Sequence, residues 1–214
     1  IAVELLKGLE VGEYEFSKYI PYPTALFNDA NAAGFAESWS HQEPLNAFYL
    51  MLSNNVGGSV VLGGQVYAGR NLRSGEVGHM CIVPNGRPCY CGQRGCVDAY
   101  LAATELSSHT EGNLAAFFRL LESGDQSISD IWNNYLDHLA RTVNALNMLF
   151  DCTIILGGYV GEYIAGHMDE IRSRAEKLNP FEHNADYLVC CSYQTEAIAA
   201  GAALYFISRF IDSI

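Results

Sequence analysis

Residues 75–98 read Gly-Glu-Val-Gly-His-Met-Cys-Ile-Val-Pro-Asn-Gly-Arg-Pro-Cys-Tyr-Cys-Gly-Gln-Arg-Gly-Cys-Val-Asp. Within this stretch His79, Cys89, Cys91 and Cys96 follow the spacing His-x9-Cys-x-Cys-x4-Cys. Zinc prefers four tetrahedral ligands, and one imidazole with three thiolates is a closed set. A closed set leaves no coordination position for water, so the expected ion is structural and not a Lewis acid. Gly86, Gly92 and Gly95 let the chain turn tightly around a small ion, and Pro88 stiffens the approach. The competing reading is three free thiols beside an unrelated histidine; the ligand-like spacing favours the metal.

The chain around this loop has 214 residues, half of them apolar, which is material for a sizeable core. An aromatic share of 12% argues against disorder. The net charge of −12 repels phosphate backbones, so this chain by itself is not expected to grip nucleic acid. No apolar run reaches the roughly 18–20 residues of a bilayer span, and residues 1–10, with Glu4, Lys7 and Glu10, do not read as a secretory signal. A cytoplasmic protein is expected. The seven cysteines, odd in number and clustered, suit metal binding in a reducing compartment. Cys81, Cys152, Cys190 and Cys191 have apolar neighbours and are expected to be buried, inert thiols. His41, His109, His138, His167 and His183 stand alone and read as surface or packing residues.

Hydrophobic patterning places elements on both sides of the loop. Residues 1–10 have a helical pattern, and 24–27 (TALF) read as a short strand leading to Asn28-Asp29. Residues 30–38 read as a helix. Residues 47–52, 59–62 and 65–68 read as three strands in a meander, with Gly63-Gly64 at a hairpin turn. Helices are expected at 97–106, 114–121, 128–150 and 162–178, and strands at 153–156 and 187–191. The apolar positions of 128–150, from Ile131 and Trp132 to Leu146 and Phe150, recur at helical spacing as core material. A last helix rich in Ala and Gly allows close packing against a neighbour. Runs of strands mixed with strand–helix alternation indicate α/β with a mixed sheet.

Gly75-Glu76-Val77-Gly78-His79 with Cys89-x-Cys91-Gly92-x-x-Gly95-Cys96-x-Asp98 resembles the ROK family of repressors, open reading frames and kinases. Asn28-Asp29-Ala30-Asn31-Ala32-Ala33 is similar to the family's Asn-Asp-Ala-Asn-Ala-Ala segment. Residues 154–160 (IILGGYV) resemble its adenosine-side strand and turn. The order agrees from about residue 20 to the C-terminus. The resemblance implies an α/β, ribonuclease-H-like (actin-like ATPase) fold of two lobes with a sugar between them. On that basis 27–200 would be the second lobe with its zinc loop at 75–98, and 1–26 with 201–214 a remnant of the first. The family's opening Asp-x-Gly-Gly-Thr strand has no counterpart, so a piece of a longer protein is expected.

The resemblance also assigns roles. Asn28, Asp29, Glu76, His79 and Asp98 would bind the sugar. His79 would bind zinc through one nitrogen and a sugar hydroxyl through the other. In the kinases the residue matching Asp29 takes the proton from the sugar hydroxyl that attacks the γ-phosphate; a purely structural alternative is that Asp29 caps the following helix. Asp98 stands where the family usually has Glu, one methylene shorter. Gly157 and Gly158 would lie on the nucleotide side. At the phosphate-side turn, Ser53-Asn54-Asn55-Val56-Gly57-Gly58-Ser59 replaces the kinases' Gly-Thr-Gly-x-Gly-Gly-Gly. The Asn and Ser side chains crowd the approach of phosphate to backbone N–H groups.

That departure tips the expectation toward the sugar-sensing effector domain of a ROK-type transcriptional regulator, most like the xylose-operon type. DNA would then be reached only through a separate N-terminal domain. The alternative is an ATP-dependent sugar kinase, glucokinase- or fructokinase-like, with Asp29 as general base and ATP with Mg as cosubstrate. A homodimer or tetramer is implied in either case.

Overall fold

A computed structural model describes residues 17–181, 183–193, 196–211 and 213–214; the helical expectation for 1–10 lies outside them. Five strands form one mixed sheet in the order β3-β2-β1-β4-β5: β1 (Ala47–Leu52), β2 (Val56–Leu62), β3 (Gln65–Val66), β4 (Thr153–Gly157) and β5 (Leu188–Cys190). β1, β2 and β3 pair antiparallel, as the expected meander; β4 and β5 then add parallel on the other side of β1. All six residues of β1 are buried, as its unbroken apolar run requires of a central strand covered on both faces.

Alternation along β1 sorts the core into two layers. Phe48, Leu50 and Leu52 face one way, with Ile154 and Leu156 of β4. They pack under α5 (Gln126–Phe150), whose buried stripe includes Trp132, Leu136, Leu139, Val143 and Leu146. Helix α4 (Leu114–Glu122) adds Phe117 and Phe118, and α7 (Met168–Glu176) adds Ile171 and Ala175. Ala47, Tyr49 and Met51 face the other way with Ile155, against Ala30 and Ala33 of α1 (Asp29–Ser40) and Ala197 of α8 (Ala197–Ile211).

Helix α1 is lined with small residues on more than one side because it is sandwiched between the sheet and α8. Ala30, Ala32, Ala33, Gly34 and Ala36 are all buried. A Cβ at Gly34 would stand 2.6 Å from Ser59, and one at Gly201 of α8 would land on the Ala32 carbonyl oxygen. The small residues expected to permit close packing of the last helix therefore meet α1. The boundary expected at 200/201 falls inside this continuous helix. Gly201→Ala should cost about 1–3 kcal/mol by overpacking against backbone that cannot yield. A melting scan should then show a fall of roughly 2–12 °C. An unchanged melting temperature would mean that α8 is not seated on α1 in solution.

Several boundaries differ from the pattern-based expectation. Residues 24–27 join no strand among the described residues; they run beside α8, where Phe27 meets the Tyr205 ring edge-on at 4.7 Å. β2 starts at Val56, earlier than expected, and β3 stops at Val66. The helix expected over 97–106 is two, α2 (Asp98–Leu101) and α3 (Ala103–Ser107), broken where Ala102 is extended at φ −60° and ψ 142°. The break lets the Ala103 N–H donate to the Ser53 carbonyl at 2.7 Å. The helix expected over 162–178 divides into α6 (Gly161–Ile164), a 3-10 turn at Ala165–His167 and α7. Cys81 is exposed, not buried, and Cys152, Cys190 and Cys191 are half-buried. The apolar run around Cys81 belongs to an outer ribbon that turns only some of its side chains inward. Among the described residues no helix is long and apolar enough to cross a membrane.

Candidate functional site

The expected ligands converge. One ligand atom from each of His79, Cys89, Cys91 and Cys96 lies within 4.8 Å of the others. Cys91 Sγ and Cys96 Sγ are 3.8 Å apart, and Cys89 Sγ is 3.9 Å from His79 Nδ1. Bonds of about 2.3 Å to a tetrahedral ion imply sulfur–sulfur edges of about 3.8 Å, which the Cys91–Cys96 pair matches, so the donor set is of the right kind and close enough to close on a zinc-sized ion.

The backbone explains the convergence. His79 closes a 3-10 turn at Val77–His79. The cysteines sit on a narrow ribbon held by Cys89 N–H to Gln93 O at 2.9 Å and Gly95 N–H to Arg87 O at 2.8 Å. Gly95 is left-handed at φ +80°, and a Cβ there would land on the Val83 carbonyl oxygen. Burial pushes the Cys96 thiol up to about 12 and the Cys89 thiol upward as well, while the Gln93 backbone N–H draws Cys91 down. Thiols so disfavoured as anions by burial gain the compensation they lack from a bound cation.

His79 Nδ1 faces the sulfurs, and Nε2 lies 3.4 Å from the Tyr90 hydroxyl, the two rings meeting edge-on at 5.3 Å. The nitrogen expected to meet a sugar hydroxyl thus already has a hydroxyl neighbour. Tyr90 was missed at sequence level; its one signal is an aromatic residue placed between two ligands.

The loop is laid directly on β2. A Cβ at Gly75 would fall on Gly58 O, one at Gly78 on Val56 O, and one at Gly58 would strike the Phe48 ring. Bare backbone on both sides brings the turn carrying the exposed Glu76 and His79 against the first residues of the strand. Gly57 and Gly58 accordingly lie in β2, opposite Met51 and Leu50. The connecting turn is Ser53-Asn54-Asn55, with Asn54 exposed and Asn55 half-buried.

The end of the 75–98 loop, with the start of α3, clamps this turn from both sides. Asp98, only 7% exposed, accepts the Val56 N–H through Oδ1 at 2.7 Å, and Ala103 N–H binds Ser53 O. Burial raises the Asp98 carboxyl, an effect opposed by the Val56 N–H and by the charge of His79 nearby. Asp98→Ala would leave a buried N–H without a partner, a loss of about 1–3 kcal/mol. The urea midpoint should fall accordingly, and less in Asp98→Asn, which keeps the acceptor oxygen.

Across β1 lies the turn after β4. Gly158 is left-handed at φ +81°, and a Cβ there would stand 2.7 Å from the Leu52 backbone; one at Gly157 would fall on the Tyr49 hydroxyl. Val160 N–H donates to Leu52 O at 3.0 Å, and Tyr159 N–H to Ser53 Oγ at 3.4 Å. The turns at 53–55 and 157–160 therefore abut at the carboxyl ends of two parallel strands, the usual crevice of open α/β sheets.

Asn28 and Asp29 start α1. The cap is Asn28, whose Oδ1 accepts the Asn31 N–H at 3.1 Å; Asp29 is the first helical residue, and its Oδ1 accepts the Ala30 N–H at 2.8 Å. A Cβ at Gly57 would stand 3.2 Å from Ala30 Cβ, so this helix end and the loop bearing Glu76 and His79 reach the same end of β2. A cavity of about 450 Å³ opens against Asn28, Asn31, Phe35, Gln65 and Tyr205, and it is not lined by Glu76, His79 or Asp98.

The ROK family model matches residues 13–209. An N-acetylmannosamine kinase of Escherichia fergusonii is 30% identical over 189 residues, which are 85% of this chain and 64% of that kinase. The chain thus spans under two thirds of that relative's length. A ROK hexokinase from Thermus thermophilus superposes with a TM-score of 0.74 at 29% identity, covering 92% of this chain and 70% of the hexokinase. A ROK transcriptional regulator, homologous to the MLC protein of E. coli, superposes with a TM-score of 0.72 at 23% identity, covering 90% and 54%. With this match along nearly its whole length, and with the mixed α/β actin-like ATPase fold of those structures, the chain belongs to the ROK family.

Proposed function

We propose that this chain is the sugar-binding lobe of an ATP-dependent sugar kinase, with Asp29 as general base and a structural zinc at His79, Cys89, Cys91 and Cys96. The observation that carries the reading is the division of labour at the start of α1. Asn28 takes the capping role, so Asp29 is not needed for it. Asp29 Oδ1 holds the Ala30 N–H, and among the described residues Oδ2 accepts no hydrogen bond. That second oxygen is the one to receive the proton of a sugar hydroxyl. With its Oδ1 committed to the cap, Asn28 offers its amide N–H groups to a neighbouring hydroxyl. Glu76 and His79 contribute from the other side of β2, and Asp98 chiefly holds that strand end in place. Homology at 30% identity to a sugar kinase supports the same reading and makes N-acetylmannosamine one hexose derivative to test beside glucose.

The nucleotide side fits as well. Among the described residues no backbone hydrogen bond uses the N–H of Asn54 or Asn55, so the turn keeps donors for phosphate oxygens although its glycines are gone. Bound ATP with Mg would supply the phosphoryl group. The chain's own part is to hold Ser53–Val56 rigid through Asp98, Ala103 and Tyr159.

The second reading, a sugar-sensing domain of a ROK regulator, is favoured by the side chains of Asn54 and Asn55 at that turn. The two separate in one assay on the full-length protein: sugars titrated with and without ATP while ADP is measured. Sugar-dependent ADP release establishes the kinase. Sugar binding without ADP release overturns it in favour of the regulator. Failure of every sugar to raise the melting temperature overturns both.

A further inference from the structure

Cys81 is the one cysteine of the 75–98 loop outside the metal cluster. It forms an isolated antiparallel bridge with the ligand Cys96. The flanking bonds, Ile82 N–H to Gly95 O and Val97 N–H to Met80 O, are both 2.8 Å. They make Cys81 and Cys96 a directly opposed, non-hydrogen-bonded pair. Such pairs project both side chains to one face with Cα atoms about 4.5 Å apart, inside the roughly 4.4–6.8 Å that a disulfide spans. A Cβ at Gly95 would stand 3.2 Å from Cys81 Sγ, so that sulfur lies over bare backbone beside Cys96. Cys81 is exposed, whereas Cys96 is 1% exposed.

We propose that Cys81 and Cys96 form a redox-sensitive disulfide site in which peroxide oxidation withdraws Cys96 from the metal. In the first step the exposed Cys81 sulfur attacks a peroxide oxygen. An S–O bond forms, the O–O bond breaks, and with hydrogen peroxide one water leaves, giving a sulfenic acid. In the second step the Cys96 sulfur attacks the Cys81 sulfur. An S–S bond forms, the Cys96 sulfur parts from the metal, the S–O bond breaks, and the hydroxyl leaves as hydroxide, which takes a proton from solvent to become a second water. The Cys81 thiol, the metal-bound Cys96 thiolate, one hydrogen peroxide and one proton thus become one disulfide and two waters, with the metal freed from that sulfur. A sulfur in a disulfide no longer serves as a thiolate ligand, so three ligands remain and the metal is released. Because Cys96 immediately precedes Val97 and Asp98, loss of the metal would loosen the clamp on Val56.

Zinc release rests on the zinc reading of the cluster; the disulfide does not. The test uses the full-length protein with its zinc content measured first. After treatment with hydrogen peroxide, released zinc is read with a chromogenic chelator and cysteine linkage by non-reducing peptide mass mapping. Expected is a Cys81–Cys96 linked peptide appearing with zinc release, both reversed by dithiothreitol and added zinc. Cys81→Ser should hold as much zinc as wild type before oxidation and release it roughly tenfold more slowly under peroxide. Cys81→Ala, which removes any oxygen donor, should do the same. The proposal is overturned if linkage joins other cysteines, if the Cys81 variants release zinc as fast as wild type, or if they have lost it beforehand, which would make Cys81 a ligand. If no zinc is found at the start, the zinc reading fails by itself, and the linkage map still decides the disulfide.

Discussion

Asp29→Asn in the full-length protein is expected to lower kcat for sugar phosphorylation by roughly 100- to 10,000-fold, while sugar affinity stays within a few-fold of wild type. The substitution is nearly isosteric. An asparagine can still accept the Ala30 N–H that Asp29 Oδ1 accepts at 2.8 Å, and the capping contact belongs to Asn28 and is untouched. Folding and the seating of α1 against Gly57 should therefore survive, which the melting temperature checks. Only the ability to take a proton is lost. A coupled ADP assay reads kcat, and calorimetry reads sugar binding. A variant that turns over normally would remove Asp29 from the chemistry. One that no longer binds sugar would make it a binding residue, as the regulator reading requires.

Cys91→Ser is expected to lower zinc affinity by roughly 100-fold or more, since a hydroxyl is a poor substitute for a thiolate ligand and no water position exists to fill. The larger consequence is mechanical. An ion held by the four residues would tie the turn bearing Glu76 and His79 to the ribbon that leads into α2 and α3. That segment in turn holds Val56 through Asp98 and Ser53 through Ala103. Sugar affinity should fall roughly tenfold or more together with zinc content, in line with what loss of supporting contacts costs at metal sites. Metal analysis and a sugar titration on the same preparation test both. If zinc leaves and sugar affinity is unchanged, the ion does not scaffold the sugar site, although the ligand assignment stands.

The expectation of a regulator rested on two Asn and two Ser standing at small or hydroxyl positions of the kinases' phosphate-side turn. The folded turn weakens that argument. Among the described residues no backbone hydrogen bond uses the Asn54 or Asn55 N–H, because the clamp acts on the neighbouring Ser53 carbonyl and Val56 N–H. Gly57 and Gly58, counted with the turn when only the order of residues was known, answer to packing within β2: Gly57 faces Ala30, and Gly58 faces Phe48 and Gly75. Sequence order could not separate these roles, since a glycine needed beside phosphate and a glycine needed beneath another chain segment look alike.

What the sequence determined by itself is what short-range chemistry encodes. The ligand-like spacing marked the four side chains, His79, Cys89, Cys91 and Cys96, that converge in the fold. The unbroken apolar run of 47–52 marked a strand covered on both faces, and the helical period of Ile131 to Phe150 marked the long core helix. The tertiary structure alone decided the contacts between distant positions. Asp98 meets Val56 across 42 positions, and at the break in the two-part helix at Ala102 the Ala103 N–H meets the distant Ser53 carbonyl. Cys81, grouped in sequence with the buried thiols, faces solvent opposite Cys96. Local periodicity determines which face of a segment is apolar. It carries no information about which other segment arrives there, and that depends on backbone approach, which at Gly58, Gly75, Gly78 and Gly201 is permitted by the absence of a side chain.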